Sequence, residues 1–236
     1  MEIGVLAIQG SVTEHVEALK RAAKNLKENQ FPSLDVEVVE VRRPEDLINE
    51  KQELLIQGII LPGGESTAQA KLLKRYGLFE LLKDAIQGNL QNQKTLLSVW
   101  GTCAGAILLS KKTSNSFESK HNKPDILAVM DIESDRNAYG TQIDSFIKKI
   151  ECDFDDGNDD AKCEMEAVFI RAPKLQPFNV KDPDDIKGSD AEVKILAKDG
   201  ENSVALLQKN MLVTSFHPEL TDDTMFHEFF LKMCRT

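Results

Sequence analysis

The 236-residue chain is short of several things, and each shortage removes a class of protein. Basic residues are outnumbered, 29 Lys and Arg against 39 Asp and Glu. The resulting net charge of −10 disfavours attraction to nucleic acid or to an anionic membrane. Only four cysteines occur, Cys103, Cys152, Cys163 and Cys234, and no two form a C-x-x-C pair. A disulfide framework in a chain this long would be denser, so a reducing compartment is expected, and with no metal-ligand spacing no metal site is expected either. Gly (13) and Pro (8) are too sparse for a collagen-like or low-complexity chain. No apolar run approaches the roughly 18 residues that cross a bilayer. The opening MEIGVLAIQG carries an acid where a secretory signal would carry base. A cytoplasmic protein without nucleic-acid or membrane partners is therefore expected. Neither a Walker-type loop nor G-x-G-x-x-G is present.

What is present is a globular composition, 41% hydrophobic and 29% charged, at a length suited to one domain over residues 1–236. Residues 2–8 form a short apolar run, and Val12, Val16, Leu19, Ala22, Ala23 and Leu26 then recur at helical spacing. Strands are predicted again over 35–41 and 58–61, with a helical turn opened by Pro44 between them. A helix is predicted from near Ser66 past Leu73, and the apolar run 96–100 leads through a tight turn into the helical AILLS. This alternation predicts an α/β fold whose mixed, mostly parallel sheet is flanked by helices. The second half predicts more antiparallel pairing, from strand-like runs at 126–133, 144–150, 166–171, 192–197, 203–207 and 211–216, and a closing helix over 221–234. Residues 86–95 and 112–124 read as polar loops. Residues 151–166 hold eight acids against one Lys and read as a solvated surface insertion.

Three segments carry chemistry. Gly101-Thr102-Cys103-Ala104-Gly105 follows a strand and precedes a helix, in the form Gly-x-nucleophile-x-Gly. Small neighbours permit a strained turn that lifts Cys103 clear of the sheet, and the helix start favours a thiolate. The same pentapeptide also suits a small Cys buried at a packing turn. A thiol nucleophile needs a base, and of His15, His121, His217 and His227 the one placed for it is His217, where MLVTSF ends. In extended chain Glu219 lies on the same side as His217. One ring nitrogen then meets the carboxylate and the other faces Cys103, a Cys-His-Glu triad of nucleophile, base and orienting group. The bland alternative for His-Pro-Glu is a helix start with an exposed His. In Leu61-Pro62-Gly63-Gly64-Glu65-Ser66-Thr67 the glycines let backbone approach a substrate, and the N–H groups of Gly64 and Ala104 suit an oxyanion hole. A plain turn with a Ser or Thr helix cap is the alternative there. His15 reads as structural on the first helix, His121 and His227 as surface or packing residues.

Together and in this order, these segments resemble the triad (class I) glutamine amidotransferases, whose fold is flavodoxin-like. More of the chain is similar to one branch, the glutaminase subunits of glutamine-dependent pyridoxal 5'-phosphate synthase. The similarity rests on IGVLAIQG at 3–10 with Glu14-His15, LPGGEST at 61–67 and WGTCAG at 100–105. It continues through Arg136-Asn137, Tyr139-Gly140, Asp144-Ser145-Phe146, FIRAP at 169–173 and SFHPEL at 215–220. The resemblance implies Cys103 as nucleophile, His217 as base and Glu219 as orienting carboxylate. It places L-glutamine against Gly64, Glu65, Ser66, Arg136, Ile170 and Arg171, and it implies a (β/α)8-barrel synthase subunit as partner. Pyridoxal 5'-phosphate is then the product of the complex, and no cofactor is implied for this chain. Either arginine suits the substrate carboxylate, and either suits Glu65. Thr141 departs from a position that is often basic or Ser in relatives. A cysteine peptidase with a similar turn, a non-catalytic subunit, and a glutaminase with another acceptor are the competing readings.

Overall fold

The computed structural model describes residues 1–114, 125–136, 145–154, 162–178 and 192–235. The first part of the chain runs β1 (Glu2–Leu6), α1 (Val12–Asn29), β2 (Glu37–Val41), β3 (Gly58–Leu61), α2 (Ser66–Arg75), α3 (Phe79–Gln87), β4 (Ser98–Thr102) and α4 (Ala104–Leu109). Strands then dominate: β5 (Ser110–Ser114), β6 (Met130–Asp135), β7 (Ser145–Asp153), β8 (Lys162–Ile170), β9 (Lys174–Pro177), β10 (Lys194–Asp199), β11 (Asn202–Gln208) and β12 (Met211–Thr214). A one-turn helix at Pro218–Leu220 and α5 (Met225–Met233) close the order.

β3, β4 and β12 are buried at every residue, as strands covered on both faces must be. They belong to a parallel array in the order β2-β1-β3-β4-β12, which is the flavodoxin-like order with β12 as its fifth strand. From β12 the sheet continues antiparallel through β11, β10, β7 and β8. β9 joins β11 to β6, and β6 pairs with β5. Alternation along the strands divides the core. Ile59 and Leu61 of β3 pack with Leu73, Leu82 and Ile86 of α2 and α3. Ile60, one residue away and therefore on the other face, packs with Leu19 and Leu26 of α1 and with Phe226 and Phe230 of α5. Among the described residues no helix is long and apolar enough to cross a membrane.

Several boundaries differ from the sequence expectation for local reasons. The helix past Leu73 ends at Arg75 and is followed by a second helix, α3, that the periodicity did not separate. α4 stops at Leu109 because Ser110 turns extended and its hydroxyl donates back to the Ala106 carbonyl at 2.8 Å; residues 110–114 become strand rather than helix and loop. The strand expected over 126–133 begins only at Met130, after Ala128 breaks the extended run at φ 57°. The closing helix starts at Met225, where Asp223 Oδ1 accepts from the first N–H at 2.8 Å. The ends of the acidic stretch are a β-hairpin, with Glu151 opposite Glu164 and Cys152 opposite Cys163. Its acids alternate outward while Cys152 and Met165 turn inward. Residues 155–161 of that stretch, His121, Asn137, Tyr139, Gly140, Thr141 and Asp144 lie outside the described residues.

Candidate active site

Parallel strands deliver their loops to one edge, and ligands of such sheets bind in the crevice outside the carboxyl ends. At that edge the loop after β1 meets the loop after β3, where the Ser11 N–H donates to the Gly63 carbonyl at 3.1 Å. Gln69 of α2 ties both loops, donating from Nε2 to the carbonyls of Gln9 (3.1 Å) and Pro62 (2.9 Å).

Cys103 follows β4 with φ 47° and ψ −99°, in the positive-φ region that a side chain adopts only at a cost of about 1–3 kcal/mol. The turn is tight enough that a Cβ on Gly105 would sit 2.0 Å from the Leu61 carbonyl oxygen, and one on Gly101 2.5 Å from the Gly105 backbone. Glycine is therefore required on both sides of the elbow. The Cys103 N–H is held by the Thr214 carbonyl at 2.8 Å, and its thiol lies 3.8 Å from the Ile170 carbonyl oxygen.

His217 follows β12 and is fastened by its own N–H to the Val168 carbonyl of β8 at 2.8 Å. Its Nδ1 bonds Glu219 Oε1 at 2.8 Å, and the Cys103 thiol lies close enough to the ring to act on its proton affinity. Burial alone would lower the His217 pKa, but its interactions with Cys103 and Glu219 overcome it and raise the value to about 10. Burial would conversely raise Glu219. The interaction with His15 and the bonds from His217 and Ser11 instead lower it to about 2. Gly63 has a use that the sequence did not suggest: a Cβ there would lie 2.3 Å from His217 Cε1, so the missing side chain makes room for the ring.

The structure thus brings Cys103, His217, Glu219, the Gly63-Gly64 loop and the Ile170 carbonyl to one place. An imidazole held between a carboxylate and a thiol can take the thiol proton and return it to a leaving group. Ala104 opens α4 beside the thiol, and Gly64 is exposed. Glu65 caps α2, accepting from the N–H groups of Thr67 (3.0 Å) and Ala68 (2.7 Å), so neither Ser nor Thr is the cap. Arg136 pairs with Glu65 (3.3 Å) and donates to Thr67 Oγ1 (3.1 Å). Ser66 is buried under the cap. Arg171 is exposed at φ 46°, one residue past the carbonyl that faces Cys103. Burial pushes the Cys152 and Cys234 thiols up to about 12. Among the described residues no three His, Cys, Asp or Glu side chains converge as a metal-ligand set.

Sequence reasoning missed a second layer behind Glu219. Ser11 donates to Oε1 at 2.6 Å, and His15 Nε2 stands 3.4 Å from Oε2. His15 also contacts Thr102 Oγ1 at 3.2 Å and, through Nδ1, His227 Nε2 at 3.1 Å. The signal available was Glu14-His15 following Gly10-Ser11, but a lone helical His gives no direction. His227, read as surface or packing, is fully buried.

The fold is that of the glutamine amidotransferases. A crystal structure of a glutamine amidotransferase is similar over 99% of both chains, with 32% identity and a TM-score of 0.72. A second one, from Thermotoga maritima, shares the fold at a TM-score of 0.50 and 12% identity, over 96% of this chain and 80% of its own. The sequence profile of the SNO glutamine amidotransferase family matches residues 5–236, and the chain belongs to that family. Relatives include the pyridoxal 5'-phosphate synthase subunits PdxT of Clostridium botulinum (42% identical, 98% of this chain and 96% of its own) and Clostridium beijerinckii (43%, 98% and 97%). That of Pyrococcus furiosus is 38% identical over 98% of both chains.

Proposed function

We propose that this chain is the glutaminase subunit of a pyridoxal 5'-phosphate synthase, hydrolysing L-glutamine to L-glutamate and ammonia with a Cys103-His217-Glu219 triad. Family membership supports the enzyme class. The observation that carries the mechanism is the His217 ring, fixed by the Glu219 carboxylate at 2.8 Å and brought beside the Cys103 thiol at the strained turn after β4.

In this reading His217 takes the thiol proton, and the sulfur attacks the side-chain carbonyl carbon of glutamine. The resulting oxyanion rests against the N–H groups of Gly64 and Ala104. As the tetrahedral adduct collapses, the C–N bond breaks, and His217 hands its proton to the departing ammonia. Water, deprotonated by the same ring, then attacks the thioester, releasing glutamate and returning the thiol. The raised pKa suits the first half, because a ring that holds its proton is the acid that the leaving group needs. Glu219 keeps Nδ1 protonated, so Nε2 is the nitrogen turned to the chemistry.

The substrate's α-carbon carries one charge of each sign, and the Glu65-Arg136 pair offers one of each in return. Ser66, Ile170 and Arg171 complete the expected contacts, with Arg171 the second candidate for the α-carboxylate. Ammonia passes to a separate (β/α)8-barrel synthase subunit, where pyridoxal 5'-phosphate is made; it is the product of the complex and no cofactor of this chain.

The test is glutamate release from glutamine, with and without the synthase subunit. Cys103→Ala is expected to abolish turnover while folding and partner binding persist. Turnover retained by that variant would refute the mechanism. A folded wild-type protein that binds its partner yet releases no glutamate in either condition would leave a non-catalytic subunit.

A further inference from the structure

Glu219 is a buried carboxylate, and His217 and Ser11 both bond the same oxygen, Oε1. Its second oxygen, Oε2, meets no hydrogen-bond partner of good geometry among the described residues and faces His15 Nε2 at 3.4 Å. A buried carboxylate oxygen accepts only, so the atom opposite it must present a proton rather than a lone pair. That assigns the His15 proton to Nε2, where it also reaches Thr102 Oγ1. His15 Nδ1 is then the acceptor, and His227 donates to it from Nε2. The assignment closes at His227 Nδ1, which also has no partner among the described residues. A bare acceptor is tolerated there better than an orphaned N–H.

We propose that His15 is a positioning residue of the glutaminase site: as a neutral imidazole fixed by His227, it turns its Nε2–H toward Glu219 and holds that carboxylate in the orientation that orients His217. The inference rests on the triad reading above. Burial lowers the His15 pKa and takes that of His227 well below its ordinary value, which favours neutral rings at both positions. The charged and titratable groups around His15 are Glu14 on its own helix, Glu219 in the Pro218–Leu220 segment with His217 just before it, and His227 from α5 with Arg21 beyond it. From β4 only the neutral Thr102 and the edge of Trp100 face it.

Glutamate release by full-length His15→Leu and His15→Gln, assayed with the synthase subunit across the pH range, reads this directly. His15→Leu is expected to lower kcat by roughly tenfold or more with KM changed by less than about twofold, since the lost group acts on the orienter rather than on substrate. Its pH–rate profile narrows at both ends, because Glu219 protonates more easily and His217 releases its proton sooner. His15→Gln returns an N–H to the Nε2 position and recovers part of the rate and the width. A wild-type rate and profile in His15→Leu, or equal losses in both variants with the profile unmoved, overturns the proposal. Should the Leu variant not fold, nitrogen NMR of the wild-type imidazoles decides it. A neutral His15 with its proton on Nε2 is expected near neutral pH, and a proton on Nδ1 or a charged ring overturns the proposal. The tautomer is read without turnover, so turnover in Cys103→Ala would sink the triad reading on its own, separately from this one.

Discussion

At His217 and Glu219 each residue sets the charge of the other. Glu219 is lowered from an ordinary 4.5 to about 2, so an unfolded chain takes up that proton before the folded one does. The stabilisation it supplies is complete above about 4.5 and is lost as pH falls toward about 2. His217 runs the other way, raised from 6.5 to about 10; its contribution is complete below about 6.5 and is lost as pH rises through about 10. Glu219→Gln should therefore melt below the wild type by the widest margin between these limits, with the gap closing toward both extremes. Thermal melts of the two proteins over pH check this, and a gap independent of pH would contradict it. The strained turn at Cys103 was legible in the sequence because such an elbow needs contiguous small residues. The Ser11 and His15 contacts to Glu219 were not, because nothing local to residues 11–15 records a partner 208 residues away.

Among the elements, α2 shows how one side chain ties a helix start to a neighbouring strand end. Glu65 is no favoured cap residue, yet its longer side chain gives one oxygen to the Thr67 N–H and the other to the Ala68 N–H. Arg136 then locks the same carboxylate against the β6 end. Glu65→Ala should cost about 1 kcal/mol of stability, the usual loss for a cap. It should appear as a lower urea midpoint with an unchanged slope; an unchanged midpoint would mean that the cap is replaced by water. Strand and helix order through β4 was readable from periodicity. The α2–α3 break and the β5 strand were not, because each turns on one residue's backbone angle or back-bonded hydroxyl rather than on an apolar pattern.

Over the whole molecule, β12 joins the parallel and antiparallel parts, pairing with β4 on one side and β11 on the other. The single Trp, Trp100, is fully buried on β4 against Phe226 and Phe230 of α5. If this shared strand makes the two parts one cooperative unit, Trp100 fluorescence and far-ultraviolet dichroism will report the same unfolding midpoint. Separate midpoints would divide the chain into two units. The sequence by itself determined the globular composition, the βα alternation and the two motifs that hold Cys103 and the His217-Glu219 pair, since all of these depend on neighbours in the chain. Only the tertiary structure decided that Gly63 makes room for an imidazole, that Glu65 is spent on a helix start, and that two histidines 212 residues apart stand bonded behind the Glu219 carboxylate. Those facts depend on which loops the parallel strands carry to a common edge, and that choice is made by the packing of the sheet.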